Sequence, residues 1–225
     1  MYYMDPLLNS INKDFLTFLG NADFPCVAAK SASQKGHIEI MIADHLNCPK
    51  DDAAILRFIY AFTENYRASS EGFHSAAIIF KGSGQLTEVL FDRLMWQRLV
   101  SLRELDAERY KYDNRVSPDP ASADFSFSLM EEAFFIIGLH PQSSRPSRRF
   151  QYPALIFNPH AQFAAMKSDR RYDNMKAIVR KRDLAYSGSI NPMLTDFGEA
   201  SEVYQYSGRR YATDAECPFK FNNNK

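Results

Sequence analysis

His140 closes the run Phe134-Phe135-Ile136-Ile137-Gly138-Leu139-His140-Pro141, and Ser144, Arg145, Arg148 and Arg149 follow at once. An imidazole beside apolar aromatics, with guanidinium groups nearby, has the parts of a haem pocket: one axial ligand, an apolar wall and cations for the propionates. Pro141 restricts His140 to extended or turn geometry, so the ring is expected just past a strand end. Sites in open α/β sheets are commonly built there. Alone, a histidine is a weak ligand signal. Histidines at strand ends are more often hydrogen-bonded structural groups, and arginine clusters more often solvated surface.

Other residues repeat parts of this chemistry. His160 follows Ala154-Leu155-Ile156-Phe157-Asn158-Pro159, the same order of apolar strand and terminal histidine. If the two strands are neighbours, both rings could lie at one sheet edge. One could then ligate iron while the other hydrogen-bonds oxygen or substrate. Cys26, in Phe24-Pro25-Cys26, could supply a thiolate of the oxygen-activating type, although such a cysteine is more often a small core residue. Cys217 has the same standing. Arg209 and Arg210 join the Arg145, Arg148 and Arg149 group as candidates for an anion such as a propionate or substrate carboxylate. His37, His45 and His74 carry no local constellation. No HExxH, Walker A, GxGxxG after a strand, GxSxG or kinase motif occurs, so nucleotide chemistry and triad hydrolysis lose support.

The elements that must position these groups are readable in outline. Apolar spacing predicts a helix over 6–18, ended by Gly20. A strand is expected over 37–43, and a helix from Asp51-Asp52 to about Tyr66. Residues 75–80 form a short apolar strand. Thr87 opens a long helix to about Arg109 that buries Val89, Leu90, Leu94, Met95, Leu99 and Leu102. Residues 111–123 read as a loop. Residues 125–129 alternate as a half-buried strand that could form a hairpin with 133–139 across Met130-Glu131-Glu132-Ala133. Two helices follow His160, over 161–167 and 172–186. Strands and helices mix without βαβ regularity. The expectation is therefore a single α+β domain over 1–225, with a mixed, mostly antiparallel sheet packed with helices, an N-terminal helix within 1–19 and a disordered tail at 220–225.

Composition narrows the function classes. The chain has 225 residues, 45% hydrophobic and 14% aromatic, enough for a sizeable core or an apolar ligand cavity. Lys plus Arg and Asp plus Glu both number 27. A net charge of zero gives no pull towards nucleic acid or a membrane surface. No apolar run approaches a membrane span, and Met1-Tyr2-Tyr3-Met4-Asp5 lacks the pattern of a signal peptide. Three scattered cysteines make neither a disulfide framework nor a CxxC zinc site, which suggests a cytoplasmic chain with reduced thiols.

Taken in order, several short motifs resemble the YqcI/YcgG family, in particular the branch containing the haem-dependent pre-guanitoxin N-hydroxylase. They are Phe24-Pro25-Cys26-Val27 with Ala29-Lys30-Ser31-Ala32, and Gly138-Leu139-His140-Pro141 with Ser144-Arg145 and Arg148-Arg149-Phe150. Phe157-Asn158 with His160 and Gln162-Phe163 comes next, then Arg182-Asp183, and Gly188-Ser189-Ile190-Asn191-Pro192-Met193-Leu194. Gln205-Tyr206-Ser207-Gly208-Arg209 and Cys217-Pro218-Phe219 complete the set. The resemblance covers about residues 20–219. Ala28 and Pro159 depart from the pattern, where Gly and Leu are expected. The resemblance implies a haem b monooxygenase that uses O2 to hydroxylate a nitrogen of a small polar guanidine or amine. Under it His140 is the expected iron ligand, with Phe24 and Cys26 also at the cofactor. Arg145, Arg148, Arg149 and Arg209 are candidates for the propionates, and His160 or Tyr206 supplies a distal hydrogen bond. The chain has no flavin or iron–sulfur motif, so electrons must come from an external donor or reductase. A homodimer is compatible with these features. A non-catalytic haem carrier or sensor, or a haem-free protein holding a small anion on the arginines, would use the same residues.

Overall fold

The computed structural model describes residues 6–69, 71–167, 171–191, 193 and 198–211. The tail, Cys217-Pro218-Phe219, Pro192 and Leu194 lie outside them. The described residues fold as one α+β unit, as expected: a five-stranded mixed sheet with seven helices. The strands are β1 (Ile38–Ala43), β2 (Ser75–Phe80), β3 (Phe127–Leu129), β4 (Glu132–Leu139) and β5 (Ala154–Pro159), in the order β1-β2-β5-β4-β3. Only β1 and β2 are parallel; the other three pairings are antiparallel. The helices are α1 (Pro6–Gly20), α2 (Val27–Gln34), α3 (Asp52–Ala68), α4 (Glu88–Asp106), α5 (Ala161–Lys167), α6 (Arg171–Ser187) and α7 (Val203–Tyr206). No helix among the described residues is long and apolar enough to cross a membrane.

Strand alternation divides the core in two. Ala76, Ile78, Leu155, Phe157, Phe134 and Ile136 face α3 and α4, where Ile55, Ile59, Phe91, Met95 and Leu99 cover them. Ala77, Ile79, Ala154, Ile156 and Leu139 face the other way, towards Ile11, Phe15 and Leu19 of α1 and the Phe24 loop. The long helix differs from its sequence reading in phase. Thr87 does cap it, its hydroxyl accepting Leu90 N–H at 3.2 Å. Its buried face, however, is Phe91, Met95, Trp96, Leu99 and Leu102, while Val89 is exposed and Leu90 and Leu94 are half-buried. The β3 reading is corrected too. Ser126 and Ser128 are as buried as their phenylalanine neighbours because each hydroxyl has a partner: Ser126 Oγ donates to Phe134 O, and Ser128 Oγ accepts Asp113 N–H.

The β3–β4 turn needs Met130 and Glu131 at φ 54° and 55°, a left-handed pair usually given to Asn-Gly. Neighbours hold it there. Asp106 accepts Met130 N–H at 3.0 Å, and Arg67 donates to Met130 O and Glu131 O at 2.8 and 3.1 Å. On β4, Gly138 lets α4 sit against the sheet, since a Cβ there would stand 2.7 Å from Phe91 Cε1 and 3.2 Å from Met95 Sδ. Phe91 is fully buried and has nowhere to go. Gly138→Ala is therefore expected to destabilise the fold by about 1–3 kcal/mol, read as a lower urea midpoint with unchanged m.

Candidate functional site

A cavity of about 520 Å3 lies on the α1/α2/α6 face of the sheet, a size usual for small-molecule and cofactor sites, about 300–1,000 Å3. Its floor is Ala133, Phe135, Ile137 and Leu139 of β4 with Ile156 and Asn158 of β5. Its walls come from the Phe24-Pro25-Cys26 loop, from Tyr172, Met175 and Val179 of α6, and from Phe73 and Phe163. The floor residues are alternate ones because only one strand face points here.

Phe24 and Cys26 are both at this wall. Cys26 is the N-cap of α2: its Sγ accepts Ala29 N–H at 3.5 Å. Burial pushes the free thiol up, while backbone N–H groups of Ala29 and Ala28 and the nearby Arg148 favour the thiolate. Arg182 of α6 ties this loop down by donating to Ala22 O and Phe24 O.

Arg145 and Arg148 also line the cavity. Arg145 is buried and spends its charge on Asp183 of α6, with a further bond to Ser189 O at 3.0 Å. Arg148 is different. It donates to Gly138 O, Tyr206 O and Gln205 O at 3.1, 2.8 and 3.1 Å. Among the described residues no carboxylate pairs with it. Burial, and then Arg145 beside it, push it down to about 10. Gly208 makes room for its stem. The residue has φ 79°, and a Cβ there would meet Arg148 Cγ at 3.2 Å.

His160 sits where β5 ends, its backbone N–H bonded to Ala133 O at 2.8 Å and its ring at the cavity. Its Nε2 lies 3.3 Å from Glu202 Oε1. Glu202 is almost fully buried and lines the cavity; its Oε2 is 3.0 Å from Tyr206 Oη. Sequence reasoning missed Glu202. The readable signal is its i, i+4 spacing to Tyr206, which puts both on one helix face.

The other expected residues are elsewhere. His140 is fully buried but lies across the sheet, stacked on Phe91 at 4.4 Å, and does not line the cavity. It shares the parity of Gly138 and Ile136, which face α4. The antiparallel pairing of β4 and β5 also puts His140 and His160 at opposite ends of the sheet, not at one edge. Tyr206 lies behind the wall. Its hydroxyl accepts Phe127 N–H at 3.0 Å and meets Glu202, so it reaches the cavity only through that carboxylate. Arg149 is exposed and donates to Ser143 O. Arg209 pairs with Asp92 of α4 at 3.3 Å and lies over Tyr211. Neither Arg149 nor Arg209 reaches the cavity. Among the described residues no group of three or more His, Cys, Asp or Glu could hold a metal ion, but a haem asks the chain for only one or two ligands.

A model of the YqcI/YcgG family matches residues 15–220. No curated protein and no solved structure matches the chain.

Proposed function

The chain belongs to the YqcI/YcgG family, and from that premise and the make-up of the cavity we propose a haem-dependent monooxygenase acting on a nitrogen of a small guanidine or amine. The observation that carries the reading is Cys26. A half-buried thiol at a helix N-terminus, on the wall of an aromatic cavity and near a half-buried arginine that no carboxylate pairs with among the described residues, suits a thiolate ligand of the oxygen-activating type.

The wall fits the group in three respects. Phe24, Phe135, Ile137, Leu139, Ile156 and Val179 give flat apolar sides. Cys26 supplies one ligand, and coordination would deprotonate it despite burial. Arg148 would offset the thiolate charge or face a propionate, with Arg145, already matched by Asp183, beside it. When bound, haem supplies the oxygen chemistry: O2, two electrons from an external donor and two protons turn a substrate N–H into N–OH and release water.

The chain's own residues do the rest. The backbone N–H groups at the start of α2 steady the sulfur. Glu202 Oε1, 3.3 Å from His160 Nε2, faces that edge of the ring and orients it. Tyr206 positions Glu202. The apolar floor excludes bulk water.

Haem b added to the purified protein is expected to give a saturable Soret band. The ferrous–CO form should be red-shifted as in thiolate-ligated haems, and a reductant with O2 should convert small guanidines or amines to N-hydroxy products. No Soret shift on adding haem would sink the assignment. Because Cys26 and His160 face one cavity, a second reading is a carrier or sensor in which both ligate. A six-coordinate low-spin spectrum without oxygen reactivity would favour it.

A further inference from the structure

Most charges on the cavity wall are paired. Arg145 is matched by Asp183, Arg115 by Asp113 and Glu132 at 2.6 and 2.9 Å, and Lys176 by Asp173 at 3.8 Å. Two groups of opposite sign lack such a match among the described residues. One is Arg148, whose three hydrogen bonds all go to carbonyls. The other is Glu202, 3% exposed, with a histidine ring at one oxygen and the Tyr206 phenol at the other. Glu202 and Gln205, whose carbonyl takes Arg148, are one helical turn apart, about 5 Å along the axis. The wall therefore carries a positive and a negative group with no ion pair between them among the described residues.

A thiolate at Cys26 would answer Arg148. Among the described residues no lysine or arginine answers Glu202. A buried carboxylate without a cation is costly, and the cost is lifted when a cation arrives with matching N–H donors. We propose that Glu202 selects the substrate. Its carboxylate anchors the ammonium or guanidinium group of a small organic cation in this cavity. The proposal rests on the cavity being a substrate site, but not on haem.

The geometry supports this over a passive role. Tyr206 holds Oε2, and Tyr206 is itself fixed by Phe127 N–H, so the carboxylate cannot turn away. A carboxylate has about four acceptor positions, and one contact at each oxygen leaves others for a planar N–H donor set. Phe135, also on the wall and edge-on to Tyr206 at 5.5 Å, offers an aromatic surface to a cation. Arg148 repels the same cation from the Cys26 side, which orients it.

The test is titration calorimetry on the protein as purified, with methylguanidinium and its neutral isostere N-methylurea. Wild type should bind methylguanidinium more tightly than N-methylurea. Glu202→Gln keeps the shape and removes the charge. It should weaken methylguanidinium by about 10–100-fold, the range for a hydrogen bond to a charged group, and leave N-methylurea unchanged. Equal binding of the two ligands by wild type, binding of neither, or an unchanged methylguanidinium affinity in Glu202→Gln would overturn the proposal. Should Glu202→Gln fail to fold, Glu202→Asp takes its place. It retracts the charge by one methylene, and an undiminished affinity there would overturn the proposal equally. Calorimetry reads the cation with or without haem. A protein that gives no Soret shift with added haem yet binds methylguanidinium through Glu202 would end the haem reading and leave this one standing.

Discussion

Cys26→Ser is expected to remove the thiolate signature of bound haem and all N-hydroxylation while leaving the fold intact. Serine is a better helix N-cap than cysteine's weakly accepting sulfur, so the start of α2 should hold. What is lost is the soft ligand. Haem affinity should fall by at least about 10–100-fold, the scale on which residues that merely support a ligand act. The ferrous–CO band should move to the position of a non-thiolate haem. Arg148 sharpens the expectation. It is a half-buried cation with three carbonyl acceptors and, among the described residues, no carboxylate paired with it, and an anion at Cys26 would relieve it. Without haem the thiol stays protonated because burial outweighs the helix N–H groups and Arg148. The free Cys26 should therefore react slowly with alkylating agents at neutral pH, and haem should abolish even that. A Cys26→Ser protein with a wild-type ferrous–CO spectrum would move the ligand to His160, the other candidate on the same wall.

Local signals carried the secondary structure well. The run Ser75–Phe80 is a strand over that same span, because a short uncharged, β-branched and aromatic run with Gly72 before it and Gly82 after it is too short for a helix. Thr87 caps α4 as its side chain dictates. What local signals could not carry was pairing. His140 and His160 follow similar strands, yet the strands run antiparallel, so their ends lie apart and the rings point to opposite faces. Parity within β4 was readable, but not which parity faced a cavity, since both faces are apolar. Glu202 was hidden for a related reason. It stands in a polar stretch and becomes a site residue only when β5 brings His160 to it. Gly208 and Arg148 were readable as a glycine and a cation. Their contact, 60 positions apart in sequence, was not.

His140, displaced from the site, should instead set the acid limit of the fold. Its ring is fully buried, stacked on Phe91, and neither nitrogen has a hydrogen-bond partner. Burial pushes it down to about 4, against an ordinary value of 6.5, with Glu88 opposing and Arg148 assisting. The sign follows from proton uptake. As pH falls below 6.5 the unfolded chain binds a proton here and the folded chain does not, so the unfolded state gains. Stability is complete above pH 6.5 and is lost progressively down to about 4. The loss from this one group is about 3 kcal/mol. Burial lowers His74 as well, which adds in the same direction. His140→Phe keeps a ring against Phe91 and removes two nitrogens that gain nothing from burial, so it should be near neutral or stabilising at pH 7.5. Urea unfolding between pH 7.5 and 4.5 should then lose about one proton's worth of slope relative to wild type. The same protein also tests the site. Across the sheet from the cavity, a phenylalanine at position 140 should leave the haem spectrum unaltered. A His140→Phe protein with wild-type stability that no longer binds haem would restore His140 as the ligand.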